Sequence, residues 1–368
     1  MKKNIDWFIT LPNDRLDGGA EHFLMNLTDY LSNTDNKCTV YFLQSKKSDR
    51  WKIVEDRCRL IYSPFNNYFL GYFALFIFII NYSRNHNIKN TLSSQTLINA
   101  LFGFLKRLGI LKRTKIIVRE SNSIFHLLNG SKLFRYKMAY QLGYSKVDLL
   151  ICQTEFMKNQ LIDALPWMKK KLKITVMDNP INIDHVKANS AKKHNINENC
   201  EFIIAAGRLV PAKGFDILIS SFKEIEDQFP HLELWILGEG KERESLQKLI
   251  NDLDLNNRVK LKGYVNNPFP YFKLAKLCVL SSRIEGFPNV LLQMMTLNTN
   301  VVSTLSAGGI DKIKGVYTCQ TENIGELALA MGKCLNSDNS NNRREFDGFL
   351  EDRTVKNFVD VIIEKVNS

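Results

Sequence analysis

Residues 277–293 read Leu-Cys-Val-Leu-Ser-Ser-Arg-Ile-Glu-Gly-Phe-Pro-Asn-Val-Leu-Leu-Gln. Leu277 to Leu280 is a short apolar run of the length and composition of a buried strand. A polar turn follows, then Gly286-Phe287-Pro288 and an apolar pattern at helical spacing that predicts a helix from Val290 to Leu297. Strand, polar turn and helix N-terminus together favour anions, because the first amides of a helix have no acceptor within it.

The same unit recurs on both sides of this run. Upstream, strand Glu201 to Ala206 leads into Gly207-Arg208-Leu209-Val210-Pro211-Ala212-Lys213-Gly214 and a helix to Gln228. Strands are also expected at Leu232–Leu237, Val259–Lys262 and Val301–Ser303, with helices between them. In the N-terminal half, strands at Ile5–Thr10, Cys38–Leu43, Lys89–Ser93, Lys115–Arg119, Asp148–Cys152 and Ile174–Met177 alternate with helical patterns. The polar, Lys- and Asn-rich stretch Asp184 to Asn199 reads as a linker. Strands alternating with helices imply parallel sheets covered on both faces. The expected fold class is therefore α/β: two doubly wound parallel-sheet (Rossmann-like) domains, 1–183 and 184–350, facing a cleft. A last helix in 351–368 is expected to pack back towards the first domain. Ligands of such sheets bind at the carboxyl ends of the strands.

Bulk properties narrow the function classes. A chain of 368 residues accommodates two cores. The net charge of +12 points to an acidic partner such as a nucleotide or an anionic lipid surface. Seven cysteines without CxxC or His spacing argue against a disulfide framework or a zinc site. The first residues read as a strand, not a signal peptide. Tyr68 to Ile80 is almost wholly apolar but shorter than a spanning helix requires, so a buried or interfacial helix is expected. The basic residues are dispersed and match no nucleic-acid recognition motif.

The loops at predicted strand ends carry the candidate chemistry. Arg208 offers a planar fork for phosphate oxygens and Lys213 a point charge, between Gly207 and Gly214. Gly238 and Gly240, in Leu237-Gly238-Glu239-Gly240-Lys241, leave room for a ribose or base, and Gly263-Tyr264 is a further strand-end site. Glu285 can meet sugar hydroxyls or steady positive charge at an anomeric carbon, while amides near Gly286 and Phe287 can hold a diphosphate. Gln293 lies about two helical turns beyond Glu285. In the first domain Gly18-Gly19-Ala20-Glu21 opens a helix after the first strand, without the spacing of a dinucleotide fingerprint. Arg119, Glu120, Asn122 and His126 follow a strand end and are candidates for touching an acceptor, with helix capping by Ser121 or Asn122 as the alternative.

In this order these features resemble the family 4 glycosyltransferases, retaining enzymes of the GT-B fold, most strongly from Gly207 to about Gly309. The family's G-R-L-x-x-x-K-G element is found as Arg208 and Lys213, its E-x7-E element begins at Glu285, and its Gly-Gly-Ala-Glu loop is Gly18 to Glu21. The resemblance implies transfer of a hexose or N-acetylhexosamine from a nucleoside diphosphate sugar, UDP-linked by preference, with Glu285, Arg208 and Lys213 catalytic. It places Gly286, Phe287, Asn289, Val290, Leu291 and Gln293 on the donor; from their places at strand ends, Gly18, Gly19, Gly207, Gly238, Gly240 and Tyr264 are expected there too, and Arg119, Glu120, Asn122 and His126 on the acceptor. Two positions depart from the pattern. Gln293 stands where the family's second glutamate usually grips the ribose, and Arg119-Glu120-Ser121-Asn122 stands where many relatives carry a histidine after the strand.

No acidic metal cluster stands out, so neither a metal nor a cofactor is expected; Arg208, Lys213 and helix N-termini would neutralise the departing diphosphate. The run Leu291–Met295 with Ser306–Ile310 is similar to transferases of bacterial surface polysaccharide, O-antigen or capsule. That likeness implies a lipid-diphosphate-linked glycan acceptor and a cytoplasmic protein held peripherally at the inner-leaflet anionic membrane surface. Thr96 to Leu111, with basic residues at its end, reads equally as a lipid-facing amphipathic helix and as a core helix with a solvated end, and Trp167 to Lys171 is a second candidate membrane contact. The rival readings are a nucleotide-sugar 2-epimerase-like isomerase and a non-catalytic sugar-nucleotide-binding assembly protein.

Overall fold

The computed structural model describes residues 2–16, 18–121, 125, 130–197 and 200–368. The chain divides into two compact units, Met1–Pro180 with Val355–Ser368, and Ile181–Thr354.

The first unit is built on seven strands: β1 (Lys3–Leu11), β2 (Cys38–Phe42), β3 (Cys58–Tyr62), β4 (His86–Ser93), β5 (Lys115–Arg119), β6 (Leu149–Cys152) and β7 (Ile174–Val176). All pair in parallel, in the order β3-β2-β1-β4-β5-β6-β7. Consecutive side chains leave a strand on opposite faces, so adjacent apolar residues feed two cores. Phe8, Val118 and Leu150 join one, with Leu75 and Phe102 from helices; Trp7, Ile117 and Ile151 join the other, with Leu24 and Leu27. This explains why the central strands are apolar throughout instead of alternating. The C-terminal helix Val355–Asn367 completes the second core, its Phe358 ring edge-on to Phe23 at 5.3 Å.

The second unit repeats the scheme with β8 (Phe202–Ala206), β9 (Glu233–Leu237), β10 (Val259–Gly263), β11 (Leu277–Leu280), β12 (Val301–Thr304) and β13 (Tyr317–Cys319). Their order is β10-β9-β8-β11-β12-β13, again parallel. Ile203, Leu234 and Val279 face one core; Ile204, Trp235 and Cys278 face the other. In each sheet the winding reverses once, between β1 and β4 and between β8 and β11. At such a reversal the loops leaving the two strands part and open a crevice at the carboxyl edge.

Several elements differ from the sequence expectation. The polar stretch 184–199 holds helix Ile183–Ser190, capped by Asn182 Oδ1 accepting from the His185 amide at 3.0 Å. Periodicity assigns no strand to β3 or β13, and both are edge strands. Helix Asn342–Glu351 was also unassigned. No helix among the described residues is long and apolar enough to cross a membrane.

Candidate active site

The reversal point of the second sheet brings two sequence-distant loops side by side. Strand β8 pairs with β11, and Gly207–Gly214 leaves the first while Ser281–Phe287 leaves the second. The loops are joined through main-chain atoms. Arg283 N donates to Ala212 O at 2.9 Å, and Ser281 Oγ to Lys213 O at 3.0 Å. Gly214 makes this approach possible: its φ is +59°, and a Cβ there would lie 2.2 Å from Ser281 O. Gly238 does the same for the neighbouring loop, with φ +145° and a Cβ that would fall 1.8 Å from Gly207 O. Leu209 N donates to Glu239 O at 3.0 Å and Glu242 N to Leu209 O at 3.1 Å, fastening the Gly238–Gly240 turn to the Arg208 loop.

This closure sets the charged groups together. Lys213 Nζ is ion-paired to Glu285 Oε1, both side chains being largely shielded. The Ser282 hydroxyl donates to the same oxygen at 2.7 Å, and Ser282 is itself buried. The Glu285 amide donates to Ser306 O at 2.8 Å, holding the turn from the β12 side. Both side-chain bonds fall on Oε1, which leaves Oε2 the open oxygen of the carboxylate. Arg208 is exposed, and its guanidinium makes no hydrogen bond or ion pair with any described residue. Among the described residues, the two loops thus carry one cation without a side-chain partner, one shared cation and one carboxylate whose second oxygen accepts no hydrogen bond.

A residue that motif reading passed over supports this arrangement. Arg283 Nη1 and Nη2 donate to Asp216 Oδ1 and Oδ2 at 2.8 and 2.6 Å, Nη1 also to Pro211 O at 2.6 Å, and Nε to Glu322. Asp216 opens the helix Phe215–Ile225 that follows Lys213. Its carboxyl, which burial alone would raise, is held below the ordinary value by the Arg283 hydrogen bonds. An arginine two residues before the glutamate, with acids distant in sequence, was the available signal.

The remaining expected donor positions of the second unit follow strand ends of the same sheet. Phe287 is buried in the core, and helix Asn289–Leu297 starts directly after Pro288 without a side-chain cap. Leu291 is fully buried, so only its backbone faces the turn; Asn289, Val290 and Gln293 are half-buried, and Gln293 makes no side-chain hydrogen bond with a described residue. Tyr264 is 57% exposed at the end of β10. Gly18 and Gly19 belong to the first unit, where Gly18 caps helix Gly19–Asn33 with extended backbone.

Arg119 and Glu120 are also in the first unit, and both are turned inward. Arg119 is 1% exposed. It donates to Ser94 Oγ at 3.1 Å, Ser121 Oγ at 2.9 Å and Asn179 Oδ1, and lies 4.1 Å over the Phe23 ring. Burial lowers its pKa to about 9. Glu120 receives hydrogen bonds from Tyr144, Tyr140 (3.0 Å), Thr96 (3.1 Å) and Asn99 (3.4 Å). Asn122 and His126 lie outside the described residues.

Of the two readings of helix Thr96–Arg107 the structure shows the core helix: Ile98, Ala100, Phe102 and Leu105 are buried, and Gly103 lies against the Gly143 backbone. At Trp167–Lys171, Met168 is buried and the three lysines are exposed.

Residues 186–347 match the family model of glycosyl transferases group 1. The chain is 36% identical over 172 residues to the uncharacterized glycosyltransferase MJ1059 of Methanocaldococcus jannaschii, a match covering 45% of this chain and 42% of that protein. The chain therefore spans less than half the length of that relative. It is 24% identical over 305 residues to N-acetylgalactosamine-N,N'-diacetylbacillosaminyl-diphospho-undecaprenol 4-alpha-N-acetylgalactosaminyltransferase of Campylobacter jejuni, covering 80% of this chain and 75% of that protein. Among solved structures, Anabaena HepE in complex with UDP and glucose superposes with a TM-score of 0.79 at 16% identity, over 99% of this chain and 100% of that one. Over residues 186–347 the chain is thus similar to the group 1 glycosyl transferases, and its two parallel-sheet units have the GT-B fold.

Proposed function

We propose that this protein transfers a hexosyl or N-acetylhexosaminyl group from a nucleoside diphosphate sugar, with a UDP-sugar favoured, to a lipid-diphosphate-linked glycan during surface-polysaccharide assembly. The transfer retains anomeric configuration and needs no divalent metal. The carrying observation is the Lys213–Glu285–Ser282 cluster at the reversal point of the second sheet, with Arg208 on the same loop as Lys213 and without a side-chain partner among the described residues. The reading is supported by the names of two similar proteins, one acting on a diphospho-undecaprenol glycan and one solved with UDP and glucose.

In this reading the bond between the anomeric carbon and the diphosphate oxygen breaks, and the acceptor oxygen bonds that carbon on the same face. The acceptor proton passes to an oxygen of the departing phosphate. Arg208 and Lys213 stabilise the charge growing on the diphosphate, where fixed cations in a shielded site act more strongly than in water. Glu285 meets the donor sugar through Oε2, and the backbone amides of Gly286, Phe287, Asn289 and Val290 approach the phosphates. Tyr264, Gly238 and Gly240 line the base and ribose side, and Gly18 and Gly19 form the donor loop of the first unit. The protein works at the cytoplasmic face of the inner membrane as a peripheral protein.

Melting temperatures with UDP, GDP, ADP and dTDP, on wild type and Arg208→Ala, test the donor site. A rise with UDP that Arg208→Ala abolishes is expected, since a ligand of the folded state alone stabilises it by mass action. No rise with any nucleotide refutes the donor site. Transfer from a UDP-sugar to an undecaprenyl-diphosphate-linked sugar, unchanged by EDTA and with the new linkage read by NMR, tests the remainder; inversion or loss in EDTA refutes those parts.

A further inference from the structure

We propose that the first unit docks on an anionic lipid bilayer through the outer faces of helices Tyr68–Asn85 and Gly130–Gly143. This deepens the lipid-linked acceptor reading and rests on it.

Both helices show water an apolar stripe. In the first, Phe69, Phe73 and Ile77 recur every fourth residue and are 81%, 60% and 43% exposed, while Gly71, Leu75 and Ile79 on the other side are buried. In the second, Phe134, Met138 and Leu142 recur in the same way and are 65%, 39% and 47% exposed, with Tyr140 and Gly143 buried opposite. A four-residue recurrence keeps side chains on one face of a helix. Both helices pack on the same core, which Tyr72 and Phe76 of the first and Tyr136 and Ala139 of the second border. Scattered exposed apolar residues need no explanation, but two such stripes ending in phenylalanines mark a surface that leaves water.

Charge selects the occupant. The excess of positive charge lies in the first unit: there Lys and Arg outnumber Asp and Glu by thirteen, whereas in Ile181–Thr354 they fall one short. Residues 57–147 hold fourteen Lys and Arg and a single acid, the buried Glu120. Lys132 and Arg135 flank Phe134, both exposed, and Arg84 ends the first helix. Apolar side chains rimmed by cations match an interface of acyl chains beneath anionic headgroups. A second copy of the chain would set this basic rim against itself, which disfavours self-association. The helix Tyr68–Asn85 does not meet the length and hydropathy of a spanning segment, so it lies along the surface.

Flotation with phosphatidylglycerol-containing vesicles and with phosphatidylcholine vesicles tests the proposal. Wild type, Phe69→Ser/Phe73→Ser, Phe134→Ser/Met138→Ser and a control, Phe156→Ser, are compared. Phe156 is exposed on helix Glu155–Ala164, outside both stripes. Wild type and control are expected to float with the anionic vesicles only, and each double variant to partition about tenfold or more weakly, from the loss of two apolar contacts. The replaced side chains are exposed, so the UDP-induced rise in melting temperature should persist in all. Equal flotation of the double variants and wild type, or of wild type on both vesicles, overturns the docking face. So does a dimer by light scattering that Phe69→Ser/Phe73→Ser dissociates. If wild type floats with neither vesicle but still responds to UDP, the docking proposal falls and the transferase reading stands; loss of the UDP response is the failure of that reading instead.

Discussion

Arg283 grips both carboxylate oxygens of Asp216, at 2.8 and 2.6 Å, and so ties the turn that presents Glu285 to the helix that follows Lys213. The fork-to-fork geometry fixes direction as well as distance. Arg283→Lys keeps the charge and loses the fork. It is expected to lower kcat about tenfold with little change in melting temperature, because Lys213 and Glu285 are no longer held in register. Unchanged kcat in Arg283→Lys shows that the turn holds itself.

The same pair has a signature in acid. Burial opposes ionisation of Asp216, and the Arg283 hydrogen bonds overcome it, so its folded pKa lies below the ordinary 3.8. A depressed carboxyl contributes stability above its unfolded pKa and loses it as pH falls through the folded value. Asp216→Asn should therefore be less stable than wild type at pH 7 by about 1 kcal/mol or less, given the partial exposure of both groups. The difference should close as pH falls below 3.8 and through the folded value. A gap that persists there points to packing.

Lys213 and Glu285 are expected to separate binding from rate. Glu285→Gln keeps an acceptor for the Ser282 hydroxyl but loses the charge opposite the developing cation. We expect kcat to fall about 10²-fold or more with nucleotide affinity nearly unchanged. Lys213→Ala should lower both, and cost about 2 kcal/mol of stability by stranding a shielded carboxylate. Wild-type kcat in Glu285→Gln removes Glu285 from the chemistry.

Most of this architecture was readable in the sequence because the central strands are buried on both faces. Runs such as Ile116-Ile117-Val118 and Leu149-Leu150-Ile151 leave no doubt of a parallel sheet. The strands that escaped, β3 and β13, are edges. Arg59 and Thr318 are exposed there, and mixed polarity in so short a run has no period to detect. Helix Ile183–Ser190 was hidden by polar composition, its apolar contribution being essentially Val186. The site followed the same logic. Arg208, Lys213 and Glu285 were visible because glycines and strand ends surround them. Asp216 and Ser306 were not, since their part depends on which strands are neighbours. Arg119 and Glu120 show the reverse: polar residues at a strand end look exposed in sequence, and here they face inward.

Gln293 tests the departure from the family pattern. It sits about one turn into helix Asn289–Leu297, half-buried and without a side-chain partner among the described residues. If it lies against the ribose, Gln293→Glu converts a neutral hydrogen bond into a charge-assisted one. The KM for the donor should fall about fivefold at constant kcat, an effect of ~1 kcal/mol. An unchanged KM places Gln293 away from the nucleotide.

Glu120 should make stability depend on pH in the opposite sense to Asp216. Burial raises its folded pKa above the ordinary 4.5, against the opposing hydrogen bonds of Tyr144, Tyr140, Thr96 and Asn99. The unfolded chain then releases the proton first as pH rises. Stability from this group is greatest below about pH 4.5, declines as pH climbs towards the folded value, and is flat beyond it. Glu120→Gln removes the ionisation while keeping the volume, and the hydroxyls of Tyr140 and Thr96 can turn to accept from the new amide. Urea unfolding from pH 4 to 8 should show wild type losing stability relative to Glu120→Gln across that window. Glu120→Ala should lose about 3 kcal/mol at every pH, with its donors left unpaired. Parallel wild-type and Glu120→Gln profiles would mean that the four hydrogen bonds compensate fully for burial.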